Sequence, residues 1–161
     1  MSRTRFDDVD CGIAQALEAL GDWWTLMIVR DAFLGVRRFK DFQADLGIAK
    51  NVLSKRLSHL LEHEILERVD VGEHGTRYEY ALTDKGEALL PVLTTMREWS
   101  DDWVFGPGNE PMLVREHATG KRVPKLRVRS SDGRPLRRRD LRMVPGPGGN
   151  KLSPGRPHTE Q

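Results

Sequence analysis

Apolar positions recur at helical spacing through most of the first hundred residues and give way once to an alternating stretch. Between residues 11 and 20, Ile13, Ala16, Leu17 and Leu20 share one face, with Asp10 placed to cap the helix and Gly21 to close it. Residues 23–34 follow a second capping residue, Asp22, and are apolar nearly all round, which predicts a central core helix. Residues 36–38 read as a short extended piece able to pair with a later strand. Residues 39–46 form a short helix buried through Phe39, Phe42 and Leu46, and Gly47 and Ile48 make a turn. Residues 49–64 then set Leu53, Leu57, Leu60 and Leu61 on one face, which turns Asn51, Lys55, Ser58 and His59 away from it. Two extended runs, 66–71 and 76–82, are joined by Gly72-Glu73-His74-Gly75, a hairpin signal. Thr83 caps a final helix, 84–104, in which Pro91 imposes a kink or a restart.

A short helix, a turn, a second helix and a hairpin in that order is the layout of a winged helix-turn-helix, so the fold class is α+β, mainly α. The last helix carries Leu89, Val92, Leu93, Met96, Trp99 and Trp103 in a stripe wider than one small domain can cover. With Ile13 and Leu17 of the first helix, residues Leu89, Leu93, Met96, Trp99 and Trp103 are the candidate homodimer interface; packing within one chain is the alternative. Past Gly108 the periodicity stops. Residues 112–117 and 125–129 read as short strands, Ser131-Asp132-Gly133 as a turn, and 145–161 as a disordered tail.

Charge sharpens this division. Residues 1–106 hold 13 Lys and Arg against 19 Asp and Glu, a net of −6, whereas residues 107–161 hold 13 against 5, a net of +8. An acidic body, 1–106, is thus followed by a basic extension, 107–144, and then the tail. The extension either adds phosphate contacts or folds back on acidic surface of its own or a second chain. No run approaches the roughly 18 apolar residues that a membrane span needs, which argues against a membrane partner. The single cysteine, Cys11, fits a reducing cytoplasm.

The outward face of residues 49–64 offers Lys50, Asn51, Ser54, Lys55 and Ser58 to a polyanionic groove. Asn can bond adenine through two atoms, and Lys reaches guanine acceptors in the major groove of double-stranded DNA. Arg38 and Lys40 are placed for phosphates, and Arg77 beside the wing for a phosphate or minor-groove contact; Arg56 flanks the buried face and is either a further DNA contact or a structural residue. His59 and His63 match an H-x-x-E-H metal motif, but with no further ligand in context they read as the solvated flank of the helix. No phosphate loop, nucleophile–base set or cofactor signature is evident, so an enzyme is not expected. Trp23 and Trp24 read as aromatic core, with the lining of a small-molecule effector pocket as the alternative.

Cys11, Ala16-Leu17, the run from Gly21 to Leu26, Arg38-Phe39, residues 52–57, residues 77–83 and Pro91-Val92-Leu93 together resemble the HxlR-type bacterial transcription regulators, winged-helix relatives of the MarR group. The resemblance covers roughly residues 9–104. It implies a homodimer on a pseudo-palindromic operator, often near genes of stress or redox response, and makes Cys11 a candidate redox sensor, with a small half-buried residue near the dimer seam as the alternative. A winged-helix protein-interaction module that has lost DNA binding is the competing expectation. Where the family usually begins its recognition helix with Ser, this chain has Ala49, which lacks a side-chain cap. The extension resembles a small zinc ribbon whose cysteine positions hold Thr119, Arg129 and Asp132, which predicts a metal-free hairpin.

Overall fold

The computed structural model describes residues 11–72, 77–144 and 146–147. The expected cap at Asp10, most of the hairpin turn and nearly all of the tail lie outside them. The chain divides into two compact units, one running to Asp84 and the other spanning Lys85–Arg142.

The first unit opens with α1, Gly12–Leu20, whose N-cap is Cys11 rather than Asp10, without a side-chain cap bond. Helix α2, Trp23–Phe33, starts on a capping box. The Asp22 carboxylate accepts from Trp24 N at 3.0 Å and Thr25 N at 3.4 Å, and Asp22 N donates in return to the Thr25 hydroxyl oxygen at 3.3 Å. This satisfies amide groups that a helix start leaves without partners. Helix α2 contacts α3 (Phe39–Leu46), α4 (Lys50–Glu62) and β2 (Tyr78–Leu82), so it occupies the expected central place. It is not buried all round, however. Ile28 and Val29 are fully buried, whereas Trp23 is 74% exposed, so Trp23 is not the core aromatic that its composition suggested. Phe42, Ile48, Leu53, Leu57, Leu60, Ile65 and Leu66 complete the core.

Strand β1, Leu66–Asp70, pairs antiparallel with β2 in a register that sets Leu66 against Leu82 and Arg68 against Tyr80. The short piece before α3 is no strand. It contributes one backbone bond to the wing, from Tyr80 N to Arg37 O at 2.8 Å. Helix α4 ends in a reverse turn in which Glu64 takes a left-handed φ of 55°. Ile65 N donates to Leu60 O and Glu64 N to Leu61 O, which seats the hairpin directly on the helix end. Among the described residues the sheet is two-stranded and the other regular elements are helical. This is a winged helix-turn-helix.

In the second unit the single predicted helix is broken. Helix α5 is Asp84–Glu87, α6 is Leu90–Ser100 with Pro91 in its first turn, and a π-helical turn, Asp101–Phe105, continues it. Proline lacks the amide that an interior position needs, so the helix restarts there. The extension from residue 107 lies with this helix, so the compact unit begins at Lys85, upstream of the charge boundary near Gly106. The expected strands are reduced to isolated bridges, Arg115 with Arg122 and Arg129 with Pro135. Each closes a tight turn at a glycine with positive φ, Gly120 and Gly133.

These two turns hold Thr119, Arg129 and Asp132, the residues that the sequence resemblance set at the cysteine positions of a zinc ribbon, and all three are engaged in hydrogen bonds instead. The Thr119 hydroxyl donates to Glu116 Oε2 at 2.5 Å, and Arg129, a cation, donates to Gly133 O at 2.7 Å. Asp132 accepts from the Ser130 hydroxyl and from Arg134 N. Those bonds, Ser130's first, hold its carboxyl below the usual aspartate range. No helix among the described residues is long and apolar enough to cross a membrane.

Candidate nucleic-acid interface

Helix α3 ends at Gly47, in the left-handed region with φ 60°, and Ile48 is buried beneath the turn. Ala49 then begins α4 in extended geometry with no side-chain cap, as its methyl group requires. Leu53, Leu57 and Leu60 are at most 1% exposed, which fixes the rotation of α4 about its axis. Lys50, Asn51, Ser54, Lys55 and Ser58 all lie on the exposed side. None of these five side chains makes an ion pair or a side-chain hydrogen bond to another described residue. The face is polar, cationic and uncommitted.

Two polar residues of α4 turn inward instead, and both meet the α1–α2 corner. Arg56 pairs with Asp22 Oδ2 at 2.5 Å, and its Nε is buried without a partner. Arg56 is thereby engaged in an ion pair within the fold. His59 Nε2 lies 2.9 Å from Ala19 O, and its ring is 4.3 Å from that of His63. The pair is therefore not the solvated flank that the sequence suggested, because His59 packs beneath the corner. Gly21, with φ 80°, passes so close that a Cβ there would lie 2.9 Å from His59 Nε2. Among the described residues no group of three or more His, Cys, Asp or Glu is arranged to hold a metal ion.

Around α4, Lys40 is exposed on α3, and Arg77 is exposed where β2 begins. Arg38 at the head of α3 is tied to Glu79 of β2 at 2.9 Å. Being 53% exposed, it keeps part of its guanidinium free. Sequence reasoning missed Arg68, an exposed cation on β1 that stacks on the Tyr78 ring at 5.9 Å. The register pairing Arg68 with Tyr80 and Asp70 with Tyr78 is the signal, since diagonal neighbours across an antiparallel pair lie within reach of long side chains.

Five of the seven candidate dimer residues are exposed. On α1, Ile13 is 74% exposed and Leu17 53%, while Leu20 is the helix's buried residue. In the second unit the polarity of the helix is reversed. Glu98 and Asp101 are buried, whereas Met96, Trp99 and Trp103 are exposed; Leu89 and Leu93 are half-buried. The acids are held by the basic extension and by α6 itself. Glu98 accepts from Leu126 N at 3.1 Å and pairs with Arg127 at 3.4 Å. Asp101 pairs with Arg97 at 2.9 Å, and Asp102 pairs with Lys125. The Lys125 hydrogen bond, reinforced by neighbouring charge, lowers the Asp102 carboxyl below its ordinary range. Glu110 is lowered too, by its own backbone N–H and by Arg122. Cys11 is half-buried at the start of α1.

A helix-turn-helix with a wing, a free cationic helix face and a buried core behind it defines a regulator of the helix-turn-helix class. The family model described as HxlR-like helix-turn-helix matches residues 19–106. An uncharacterized HTH-type transcriptional regulator of Mycobacterium tuberculosis is 35% identical over 136 residues, covering 84% of this chain and 86% of that protein. The chain belongs to the HxlR-like helix-turn-helix family of transcriptional regulators. It is similar to the crystal structure of PA1607, at 43% identity and a TM-score of 0.80, covering 88% of this chain and 99% of that one. The likeness therefore runs past the end of the family match into the basic extension. The reduced form of YodB, a transcriptional regulator of Bacillus subtilis, is 33% identical with a TM-score of 0.51, covering 58% of this chain and 93% of its own.

Proposed function

We propose that this protein regulates transcription in the cytoplasm as a homodimer that binds a pseudo-palindromic operator in double-stranded DNA. Helix α4 lies in the major groove, with Lys50, Asn51, Ser54, Lys55 and Ser58 toward base edges. Arg38, Lys40 and Arg77 meet phosphates and fix the register. The uncommitted polar face of α4 carries this reading, because five adjacent donors and acceptors without internal partners suit an external polyanion. Dimerisation through Ile13, Leu17, Leu89, Leu93, Met96, Trp99 and Trp103 is supported by the reversed polarity of α6 and its π-helical continuation, where Trp99 and Trp103 face solvent.

Mobility shift with the DNA upstream of its own gene tests the reading, with Lys55→Ala and Asn51→Ala as probes. Each variant should lose roughly 10-fold or more in operator affinity, since a bidentate base contact is worth about 1–3 kcal/mol. Unchanged affinity for both would overturn the assignment of α4. A dimeric chain that binds no duplex at low salt would favour the protein-interaction reading.

The same proposal makes Cys11 the sensor of oxidants or electrophiles. YodB, a transcriptional regulator similar to this chain, has a structure in a reduced form, and Cys11 stands at the end of the helix that carries Ile13 and Leu17. With one thiol per chain, oxidation yields a disulfide between two Cys11 residues or a mixed disulfide, while an electrophile yields an adduct. A Cys11→Ser protein should stay on its operator under oxidant. One that still releases it removes the sensing role.

A further inference from the structure

The cations of the extension fall into two groups. Three of the five up to Arg127 are matched to carboxylates: Arg122 to Glu110 at 3.2 Å, Lys125 to Asp102, and Arg127 to Glu98 at 3.4 Å; a fourth, Arg115, donates to the backbone oxygen of Gly120 at 2.9 Å. Beyond residue 133 the matching stops. Arg134, Arg137, Arg138, Arg139 and Arg142 are all exposed, and none makes an ion pair with another described residue. The one carboxylate among them, Asp140, is occupied by the backbone, accepting from Arg137 N at 2.8 Å.

These arginines are held in an ordered path. Leu136 N donates to Val128 O at 2.9 Å, and a 3-10 turn, Arg138–Asp140, is closed by bonds from Asp140 N to Arg137 O and from Leu141 N to Arg138 O. Ordering adjacent like charges without internal counter-charge is unfavourable. A cluster of this kind is stabilised by an external polyanion, and guanidinium groups match phosphate oxygens through paired N–H donors.

We propose that residues 134–142 form a second nucleic-acid surface, which grips DNA phosphates without reading sequence. The proposal rests on the reading of α4 as a DNA-binding helix. That helix brings the chain to a duplex, where the tethered arginines meet a high effective concentration of phosphate. An anionic membrane would offer the same chemistry, but the turn holding Arg138 and Arg139 is a single three-residue 3-10 turn without an amphipathic helix to insert. The two expectations for the extension thus divide between its parts, with residues 110–127 folded on its own acidic helix and residues 134–142 free for phosphate.

The test uses the full-length chain with Arg134, Arg137, Arg138, Arg139 and Arg142 all replaced by Gln, and a second variant with all five replaced by Lys. Fluorescence anisotropy over a salt series, with upstream DNA and with a random duplex of equal length, gives the slope of log affinity against log salt. Each phosphate contact contributes about 0.9 to that slope, so the Gln variant should lose roughly 2–5 per chain on both duplexes, with unchanged circular dichroism. The Lys variant should keep most of it. An unaltered Gln slope overturns the proposal while leaving α4 in place. Equal loss in the Lys variant also overturns it, in favour of a structural role. Binding to vesicles of phosphatidylserine and phosphatidylcholine that depends on these arginines, with the DNA slope unaltered, overturns it in favour of a membrane. Failure of the parent chain to bind either duplex would sink the α4 reading as well, which separates the two failures.

Discussion

Arg56 of α4 and Asp22 at the head of α2 are joined across the back of the helix-turn-helix by an ion pair of 2.5 Å, while Asp22 caps α2 with its other oxygen. Removing either partner has unequal effects. Asp22→Ala loses a cap worth about 1 kcal/mol and strands a half-buried guanidinium, together about 2–3 kcal/mol. Arg56→Ala leaves the cap intact and should cost about 1 kcal/mol. A double-mutant cycle in urea should return a coupling of about 0.5–1.5 kcal/mol. Because Arg56 is engaged internally, its removal should leave the salt slope of DNA binding unaltered.

Ala49 begins α4 without a side-chain acceptor. Its backbone is already extended, with φ −63° and ψ 138°, so a hydroxyl added there needs no rearrangement. Ala49→Ser should stabilise the protein by about 1 kcal/mol in chemical unfolding. It should also tighten operator binding slightly, because less ordering is left for the complex. A destabilised variant would show that the start of the helix is held by something other than its cap.

Asp102 gives the second unit a defined response to acid. Its carboxyl is lowered by the Lys125 hydrogen bond, so the folded state holds its proton less tightly than the unfolded state. The stabilisation is fully present above the ordinary aspartate value of about 3.9 and is lost as pH falls through the lower folded value. Trp103, adjacent in sequence, provides the readout. Its fluorescence should stay constant down to about pH 4 and change below it, and Lys125→Met should move that change upward in pH. A transition at the same pH in both proteins would dismiss the pair as its cause.

Gly21→Ala should be costly for two separable reasons. The left-handed φ of 80° strains any side chain, and the new Cβ meets His59 Nε2 at 2.9 Å. The expected loss is about 2–4 kcal/mol in thermal or urea unfolding. Adding His59→Ala should recover only the steric share. Full recovery would show that backbone conformation contributes nothing.

The first unit was legible because its signals are local. Asp22 before an apolar run, Gly47 between two helices and the leucine spacing of α4 each specify their structure within a few residues. Arg56 and His59 were harder to read because helical spacing gives an angle but not the neighbour at that angle. The α1–α2 corner is far from them in sequence. For α6 the apolar stripe was visible, but its burial was not. Glu98, Asp101 and Asp102 find their cations in Arg97, Arg127 and Lys125, two of them beyond residue 120, so the inward face is set by distant chain. The extension gave the least, since its turns rest on individual hydrogen bonds that leave no period.

Those turns have a further consequence. Thr119, Arg129 and Asp132 close them through hydrogen bonds where a zinc ribbon would use sulfur. The extension therefore offers a thiol reagent nothing to attack. Every sulfur-directed reagent acting on a thiol of this protein has one address, Cys11. A maleimide dye would label each chain once without any engineering and would place a reporter at the start of α1.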